Sequence, residues 1–250
     1  ELKLDMNIWD GKYKDYREAE KFKKGKGFSG KKWKDSQLQI LKICKSLISL
    51  KKKIPNKFTT RYKNFLFIIK KIFKIKKKIN ILDFGGGIGI GYFYLSENLN
   101  KNISYTIVEI TNFIKNIKNY KEKNIIYTDK LNDGKFDIVI CCSVFQYIKN
   151  WQKEIKKISK IKTKYIYFSD MFIGNIKSYA TLQIYYQNKI PHWFLNFKEF
   201  DKELRKNRYK LIYSNKMKTK RLNYKNKLPM KNFKLKDRIN YTCNLLYKRF

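Results

Sequence analysis

The stretch INILDFGGGIGIGYFYL, residues 79–95, constrains the fold of this chain more than any other segment. A short apolar run ends in an acid, Asp83, and five of the chain's eleven glycines follow within residues 85–91. Glycine tolerates positive φ angles and lets a backbone approach a ligand more closely than a side chain would allow. The pattern predicts a buried strand, a tight turn and a helix, the place where open α/β sheets bind their ligands.

From residue 79 onwards, short β-branched and aromatic runs alternate with helical patterns. The seven candidate strands are 79–84, 104–109, 124–128, 136–142, 164–169, 209–215 and 241–248. The candidate helices are 89–99, 111–121, 150–160 and 197–207, the last capped by Asn196. This alternation predicts parallel βαβ units, so we expect an α/β fold. Because no helix is predicted between the last two strands, they should form an antiparallel pair at one edge.

The residues before this alternating region predict a separate N-terminal element. Residues 1–60 contain a polar lead-in with tryptophans and then a helix from about Ser36 to Leu50, which we interpret as a helical cap. Residues 61–250 would form the main domain. The segment 61–78 has a wide apolar face opposite its lysines, as in a membrane-surface helix or a helix packed on a sheet. The packed helix is the favoured alternative.

Three kinds of ligand use glycine-rich turns of this type. A triphosphate-binding loop requires Lys and then Ser or Thr after the glycines, and none is present. The dinucleotide motif GxGxxG fails because Ile90 stands in place of its third glycine. Asp83, Gly85, Gly87 and Gly89 instead form DxGxGxG, and Glu109 ends the second strand.

An acid at Glu109 can accept both hydroxyl groups of a ribose, while Asp83 can help to hold a cationic amino-acid group through the loop. S-adenosylmethionine carries both groups, so it is the predicted cofactor. A dinucleotide, or glycines that serve only the turn, are the alternatives. Asp129, after the third strand, could contact the adenine amine or could be a turn acid.

The formal net charge is +39, from 59 Lys and Arg against 20 Asp and Glu. Such a charge is typical of proteins that bind nucleic acid or anionic surfaces. Lysine, however, far outnumbers arginine and accompanies an excess of Ile, Asn, Tyr and Phe, as AT-rich codon usage would produce. Nucleic acid is therefore disfavoured as the main substrate, and small anionic partners are favoured. Whether the lysine excess is functional or a genome bias stays open.

The four cysteines show no CxxC spacing, which argues against a zinc site or a disulfide framework. No apolar run approaches the roughly 18 residues that a membrane span requires, and the N-terminal stretch lacks the layout of a signal peptide. We therefore expect a soluble cytoplasmic protein without a metal site. The oligomeric state is left open.

The whole chain resembles a bacterial family of class I S-adenosylmethionine-dependent methyltransferases found in surface-polysaccharide gene clusters, for O-antigen or capsule. The segments that carry the resemblance are WDGKYKDYREAE, ILDFGGGIGIGYFY, YTIVEITNF, FDIVICCSVFQYI, YIYFSDMF, IPHWFLNFKEFDKEL and MKNFKLKDRINYTCNLLYKRF. The resemblance implies a Rossmann-like seven-stranded sheet of order 3-2-1-4-5-7-6 with helices on both faces. It also implies that Ser143, Gln146 and Tyr147 face the cofactor; a helix start packed on the sheet is the alternative.

Methyl transfer from a sulfonium depends mostly on positioning and desolvation, so a general base is optional. The candidate catalytic residues are His192, Asp170 and Tyr147. His192, between Pro191 and Trp193, could equally be a packing residue. An acceptor-binding insertion is predicted at about 171–196, where three aromatic residues could stack on a sugar ring or nucleobase or form a cluster beneath a loop. They are Tyr185, Tyr186 and Trp193.

The sequence thus predicts a methyltransferase that O-methylates a sugar or a phosphorylated small-molecule or glycan acceptor, and the family resemblance implies a role in surface-polysaccharide biosynthesis. One alternative is a non-catalytic protein that binds the cofactor or serves as a scaffold in a polysaccharide assembly complex. The other is an RNA methyltransferase, for which no second RNA-binding module is evident.

Overall fold

The computed structural model describes residues 7–117, 122–131, 134–217 and 227–250. The strands are β1 Trp9–Tyr13, β2 Lys78–Phe84, β3 Asn102–Val108, β4 Ile125–Thr128, β5 Ile138–Cys142, β6 Tyr165–Met171, β7 Ile173–Gly174, β8 Tyr179–Tyr185, β9 Asn188–Asn196, β10 Tyr209–Met217 and β11 Thr242–Arg249. The α-helices are α1 Tyr16–Glu20, α2 Lys31–Ser49, α3 Asn56–Thr59, α4 Lys63–Ile72, α5 Ile90–Asn98, α6 Thr111–Asn116, α7 Trp151–Lys160 and α8 Phe197–Lys206.

Seven strands form the main sheet, in the order β10-β11-β6-β5-β2-β3-β4. The five strands from β2 to β6 are mutually parallel, whereas β11 runs antiparallel to both β6 and β10. The predicted α/β fold with an antiparallel edge pair is therefore confirmed. Four further strands lie outside this sheet. When all strands of the chain are numbered together, the strand order of the main sheet therefore differs from the predicted order. Counted within the sheet alone, it reads 3-2-1-4-5-7-6.

A second, four-stranded sheet of order β1-β8-β9-β7 was not predicted. Its centre is the antiparallel hairpin β8–β9, and β1 pairs antiparallel with the outer edge of β8. The lead-in is therefore not purely helical, because Trp9 pairs with Gln183 across more than 170 positions of sequence. The five residues WDGKY carry no alternating apolar pattern of their own, so their strand exists only through this long-range pairing.

Helices cover both faces of the main sheet, as predicted. In β2, Ile81 packs into the cluster that contains α4 and α5, while Leu82 packs into the cluster that contains α7 and α8. Successive strand side chains point to opposite faces, which explains this division. On the first face Phe65 of α4 stacks on Tyr167 at 5.3 Å between ring centroids, which supports the packed alternative for segment 61–78.

The remaining helices lie close to their predicted positions. Asn196 is the N-cap of α8, where its side-chain oxygen accepts the Glu199 backbone N–H at 2.9 Å. The helix predicted at 111–121 is seen as α6, and residues 118–121 are outside the described ranges. Within the described ranges, no helix combines the length and the apolar character needed to cross a membrane.

Candidate active site

A cavity of about 1690 Å³ lies at the carboxyl ends of β2, β3 and β5. The predicted site residues that line it are Gly85, Gly87, Glu109, Asp129, Ser143, Gln146 and Tyr147. The other predicted residues, Asp83, Gly89, Asp170 and His192, are not part of the lining. Pockets for one small ligand usually measure roughly 300–1,000 Å³, so this cavity has room for a cofactor and an acceptor together.

The glycines of the loop differ in the local constraint that each position places on a side chain. Gly85, Gly87 and Gly89 all have positive φ angles, of 72°, 57° and 82°. A Cβ at Gly85 would lie 2.6 Å from Val144, and one at Gly89 would lie 2.7 Å from Ile125. At Gly87 a Cβ would meet nothing within 4 Å. Packing therefore explains Gly85 and Gly89, whereas the backbone at Gly87 borders the open space of the cavity.

Glu109 links the end of β3 to the glycine loop. Its Oε1 accepts the Gly87 backbone N–H at 3.0 Å, and its Oε2 accepts the Ile110 N–H at 3.0 Å. Burial raises the pKa of Glu109, and these two hydrogen bonds oppose that effect. Each carboxylate oxygen can accept more than one hydrogen bond, so the group can still receive hydroxyl hydrogens from a ligand.

Asp83 is fully buried beneath the loop. Its Oδ2 accepts the Tyr105 hydroxyl at 2.6 Å, and a Cβ on Gly86 would lie 2.5 Å from the same oxygen. Burial raises its pKa to about 7, and the nearby charge of Glu109 adds to the rise. Asp83 thus supports the loop from below, and its predicted action on a cationic group through the loop stays a prediction.

The turn after β5 connects three parts of the chain. Gln146 is buried in the cavity wall, and its Oε1 has no hydrogen-bond partner among the described residues. The Tyr147 hydroxyl donates to Gln183 Oε1 at 2.5 Å, and the Tyr147 carbonyl accepts from the Tyr16 hydroxyl at 2.7 Å. The turn is therefore held between the N-terminal segment and the β8–β9 hairpin.

Asp170 lies directly below Ser143. It is fully buried, its Oδ1 accepts the Thr242 hydroxyl at 2.8 Å, and its Oδ2 accepts the Ser143 hydroxyl. Ser143 and Asp170 both have positive φ angles, of 55° and 61°, which non-glycine residues seldom adopt and which cluster at functional sites. Asp170 reaches the cavity through Ser143 Oγ, an arrangement that the sequence did not indicate.

His192 lies in β9 behind the cavity wall and is fully buried. Its ring packs against Phe172 at 4.6 Å and Tyr147 at 5.4 Å between centroids. Neither ring nitrogen has a hydrogen-bond partner among the described residues, and burial lowers its pKa to about 3. These contacts favour the packing alternative, and the general-base role stays a prediction.

The burial of His192 predicts a specific loss of stability in acid. Its pKa is about 3 in the folded chain and about 6.5 in the unfolded chain, so between these values the unfolded chain binds the extra proton. The free energy of unfolding should therefore fall as the pH drops below about 6.5. Replacing His192 by leucine should remove this contribution, worth at most ~1.4 kcal/mol per pH unit.

Urea unfolding of both proteins at pH 7.5, 6 and 4.5 measures the effect. The difference between His192→Leu and wild type should grow in favour of the variant as the pH falls, because all other groups titrate in both proteins. A constant difference over this range would contradict the burial of a neutral His192.

Asp129 lines the cavity, and its Oδ2 accepts the Thr111 hydroxyl at 2.6 Å, which lowers its pKa. Tyr185 and Tyr186 also line the cavity, whereas Trp193 packs on Tyr16 at 5.8 Å between ring centroids. Of the three aromatic residues predicted to contact an acceptor, two are thus in the cavity wall. Across the described ranges, no group of three or more His, Cys, Asp or Glu side chains could hold a metal ion.

Several lining residues were missed by the sequence analysis. They are Phe28, Trp33, Lys57, Arg61 and Gln183. The first four come from the N-terminal third of the chain, where no motif marks a ligand site. The sequence analysis noted tryptophans in this lead-in but assigned them no ligand.

Solved structures share this fold at low sequence identity. The chain is 10% identical to 1,6-didemethyltoxoflavin-N1-methyltransferase from Burkholderia thailandensis, over 75% of this chain and 77% of that one, with a TM-score of 0.50. It is 12% identical to an S-adenosylmethionine-dependent methyltransferase from Methanosarcina mazei, over 73% and 97%, with a TM-score of 0.52. It is 10% identical to an S-adenosylmethionine-dependent methyltransferase from Mesorhizobium loti, over 76% of this chain and 98% of that one, with a TM-score of 0.51.

The comparison with curated proteins found no match. The model of the methyltransferase domain family, in contrast, matches residues 58–218, which is more than half of the chain. The matched part contains the glycine loop, Glu109 and the turn after β5, the same elements that form the cavity wall. The chain therefore belongs to the methyltransferase domain family and is an S-adenosylmethionine-dependent methyltransferase of the class I fold.

Proposed function

We propose that this methyltransferase O-methylates a sugar or a phosphorylated small-molecule or glycan acceptor in surface-polysaccharide biosynthesis. The observation that carries the proposal is the size and lining of the cavity: the lining includes Gly87 and Glu109, joined by a hydrogen bond, and several aromatic side chains. The surface-polysaccharide role is supported by the sequence resemblance described above.

The residues of the loop side fit S-adenosylmethionine. Gly87 offers backbone without a side chain, Glu109 offers carboxylate oxygens for ribose hydroxyls, and Gln146 Oε1 offers an acceptor without a partner among the described residues. Asp129 and Ser143, two further residues of the predicted binding set, also line the cavity. When bound, the cofactor supplies a methyl group that a sulfonium has already activated for transfer.

The residues of this chain then orient the acceptor and remove its proton. An acceptor hydroxyl that donates to Ser143 Oγ would be one hydrogen bond away from the Asp170 carboxylate. Asp170 can receive a proton through Ser143 without itself entering the cavity. Most of the acceleration would come from holding the acceptor in line and excluding water.

The aromatic part of the lining suits a sugar ring. Phe28, Trp33 and Tyr185 line the cavity, and Phe28 makes edge contacts with Trp33 at 5.4 Å and Tyr147 at 4.7 Å between centroids. Aromatic faces pack on the apolar faces of sugar rings, while hydroxyl groups such as that of Tyr186 give polar contacts. The N-terminal residues thus act as a cap over the acceptor side.

The proposal is tested in two steps. Calorimetric titration with S-adenosylmethionine, S-adenosylhomocysteine and NAD should show binding of the two adenosyl ligands alone. Transfer of labelled methyl groups is then measured on sugars, sugar phosphates and nucleotide sugars. Methylation of one of these classes supports the proposal. Cofactor binding without methylation of any of them would favour the non-catalytic scaffold alternative, and methylation of RNA alone would contradict the glycan acceptor.

A further inference from the structure

Two cations on one segment line the cavity. Lys57 lies in α3 and Arg61 follows four residues later, and both side chains are exposed to the cavity space. Within the described ranges, neither makes an ion pair with an Asp or Glu side chain.

Arg61 is held in place by its backbone. The Ser169 hydroxyl at the end of β6 donates to the Arg61 carbonyl at 3.2 Å. The next residue, Tyr62, is buried, and its ring would lie 2.9 Å from a Cβ on Gly91. This anchoring leaves the guanidinium at the cavity while the chain on either side is fixed.

Among the described residues, no Asp or Glu side chain is among the ionisable groups that act on the guanidinium. The ionisable groups that act on it are Cys142, Tyr62, Tyr185 and Tyr147. Burial holds the pKa of Tyr62 well above 10, and burial raises that of Tyr185 to about 12, so both phenols are neutral at pH 7.

The acids of the cavity wall have hydrogen-bond or ion-pair partners other than Lys57 and Arg61. Glu109 accepts two backbone N–H groups, Asp129 accepts the Thr111 hydroxyl, and Glu154 pairs with Lys157 at 3.0 Å. Lys57 Nζ lies 5.0 Å from the centroid of the Phe58 ring, and an ammonium carries three N–H donors. Lys57 and Arg61 are therefore two cations of the cavity lining that form no ion pair within the described ranges.

We propose that Lys57 and Arg61 bind an oxyanion carried by the acceptor, a phosphate group, and so select a phosphorylated substrate. This inference rests on the proposed function. A guanidinium presents a planar pair of N–H donors that matches two phosphate oxygens, and an ammonium adds a point charge. The same chemistry would suit the carboxylate of the cofactor. The position of Arg61 over the ends of β5 and β6, beside Tyr185 of the hairpin, favours the acceptor.

The test uses the full-length protein saturated with S-adenosylhomocysteine and inorganic phosphate as the probe. Phosphate affinity is measured by calorimetry at constant ionic strength in wild type, Arg61→Gln, Arg61→Lys and Lys57→Gln. Lys63→Gln is the matched control, because Lys63 is an exposed lysine of the same segment that does not line the cavity. It reports the nonspecific affinity that a charge of +39 confers.

Arg61→Gln should weaken phosphate binding at least tenfold and Lys57→Gln about threefold, while Arg61→Lys should retain part of the affinity. Lys63→Gln should stay within twofold of wild type, and all variants should bind S-adenosylhomocysteine as wild type does. Phosphate affinity within twofold of wild type in Arg61→Gln would overturn the proposal. A tenfold loss of S-adenosylhomocysteine affinity in that variant would also overturn it, because the oxyanion would then be the cofactor's carboxylate.

Failure of the proposed function has a different result. Wild-type protein that binds no S-adenosylhomocysteine would refute the cofactor site. The phosphate titration of the cofactor-free protein would still report on Lys57 and Arg61. The readout is again the phosphate affinity of Arg61→Gln compared with that of Lys63→Gln.

Discussion

Replacing Glu109 by alanine is expected to lower the affinity for S-adenosylhomocysteine about 100-fold, or ~2.8 kcal/mol. The carboxylate holds the Gly87 N–H at 3.0 Å, and its remaining lone pairs face the cavity as acceptors for ribose hydroxyls. Hydrogen bonds to a charged group contribute ~1.5–3 kcal/mol each. The variant therefore loses ligand contacts and also the anchor that shapes the loop at Gly87.

Calorimetry of the variant gives the affinity, and thermal unfolding shows whether the fold is retained. Glu97→Ala is the matched control, because Glu97 is an exposed acid on α5 outside the cavity wall. Glu109→Gln should have an intermediate affinity, since the amide keeps one acceptor oxygen. An affinity of Glu109→Ala within threefold of wild type would mean that Glu109 does not bind the cofactor.

Replacing Gly91 by alanine is expected to lower the free energy of unfolding by about 2 kcal/mol. A Cβ there would lie 2.4 Å from the Tyr105 hydroxyl and 2.9 Å from the Tyr62 ring. Overpacking of this kind costs ~1–3 kcal/mol, from which the better helix propensity of alanine recovers up to ~1 kcal/mol. The Tyr105 hydroxyl cannot simply move, because it donates to the buried Asp83 carboxylate at 2.6 Å.

Gly87→Ala is the matched comparison. It should lose less stability than Gly91→Ala but more cofactor affinity. Its Cβ meets nothing within 4 Å, so only the positive φ of 57° costs stability, by ~1 kcal/mol. The new methyl group, however, projects into the cavity and should weaken cofactor binding more than Gly91→Ala does. Urea unfolding and calorimetry of both variants measure the two effects. Equal losses of stability in the two variants would contradict this division of roles within the loop.

The glycine loop illustrates how far sequence reasoning reached. Asp83, the glycines and Glu109 were identified as a group because their spacing follows strand and helix periods that local sequence sets. The same local rules predicted the parallel strands and the antiparallel edge pair. They could not tell Gly87, which faces the cavity, from Gly85 and Gly89, which are glycines for packing reasons.

His192 and Asp170 show the opposite case. His192 is predicted as a base from its residue type and Asp170 also from its place at the end of the fifth predicted strand; the structure packs His192 among aromatic rings, and the Asp170 carboxylate accepts the Ser143 hydroxyl. Residue type indicates which chemistry a side chain can perform, whereas its access to the cavity depends on what packs against it.

The sequence by itself determined the main sheet, the glycine turn and the position of the acid after the second strand. These follow from hydrophobic periodicity and from the conformational freedom of glycine, which are local properties. Only the tertiary structure decided that Trp9–Tyr13 joins the β8–β9 hairpin and that Lys57 and Arg61 face the cavity. Such contacts join residues far apart in the chain, and their free energy comes from packing and pairing that no local pattern records.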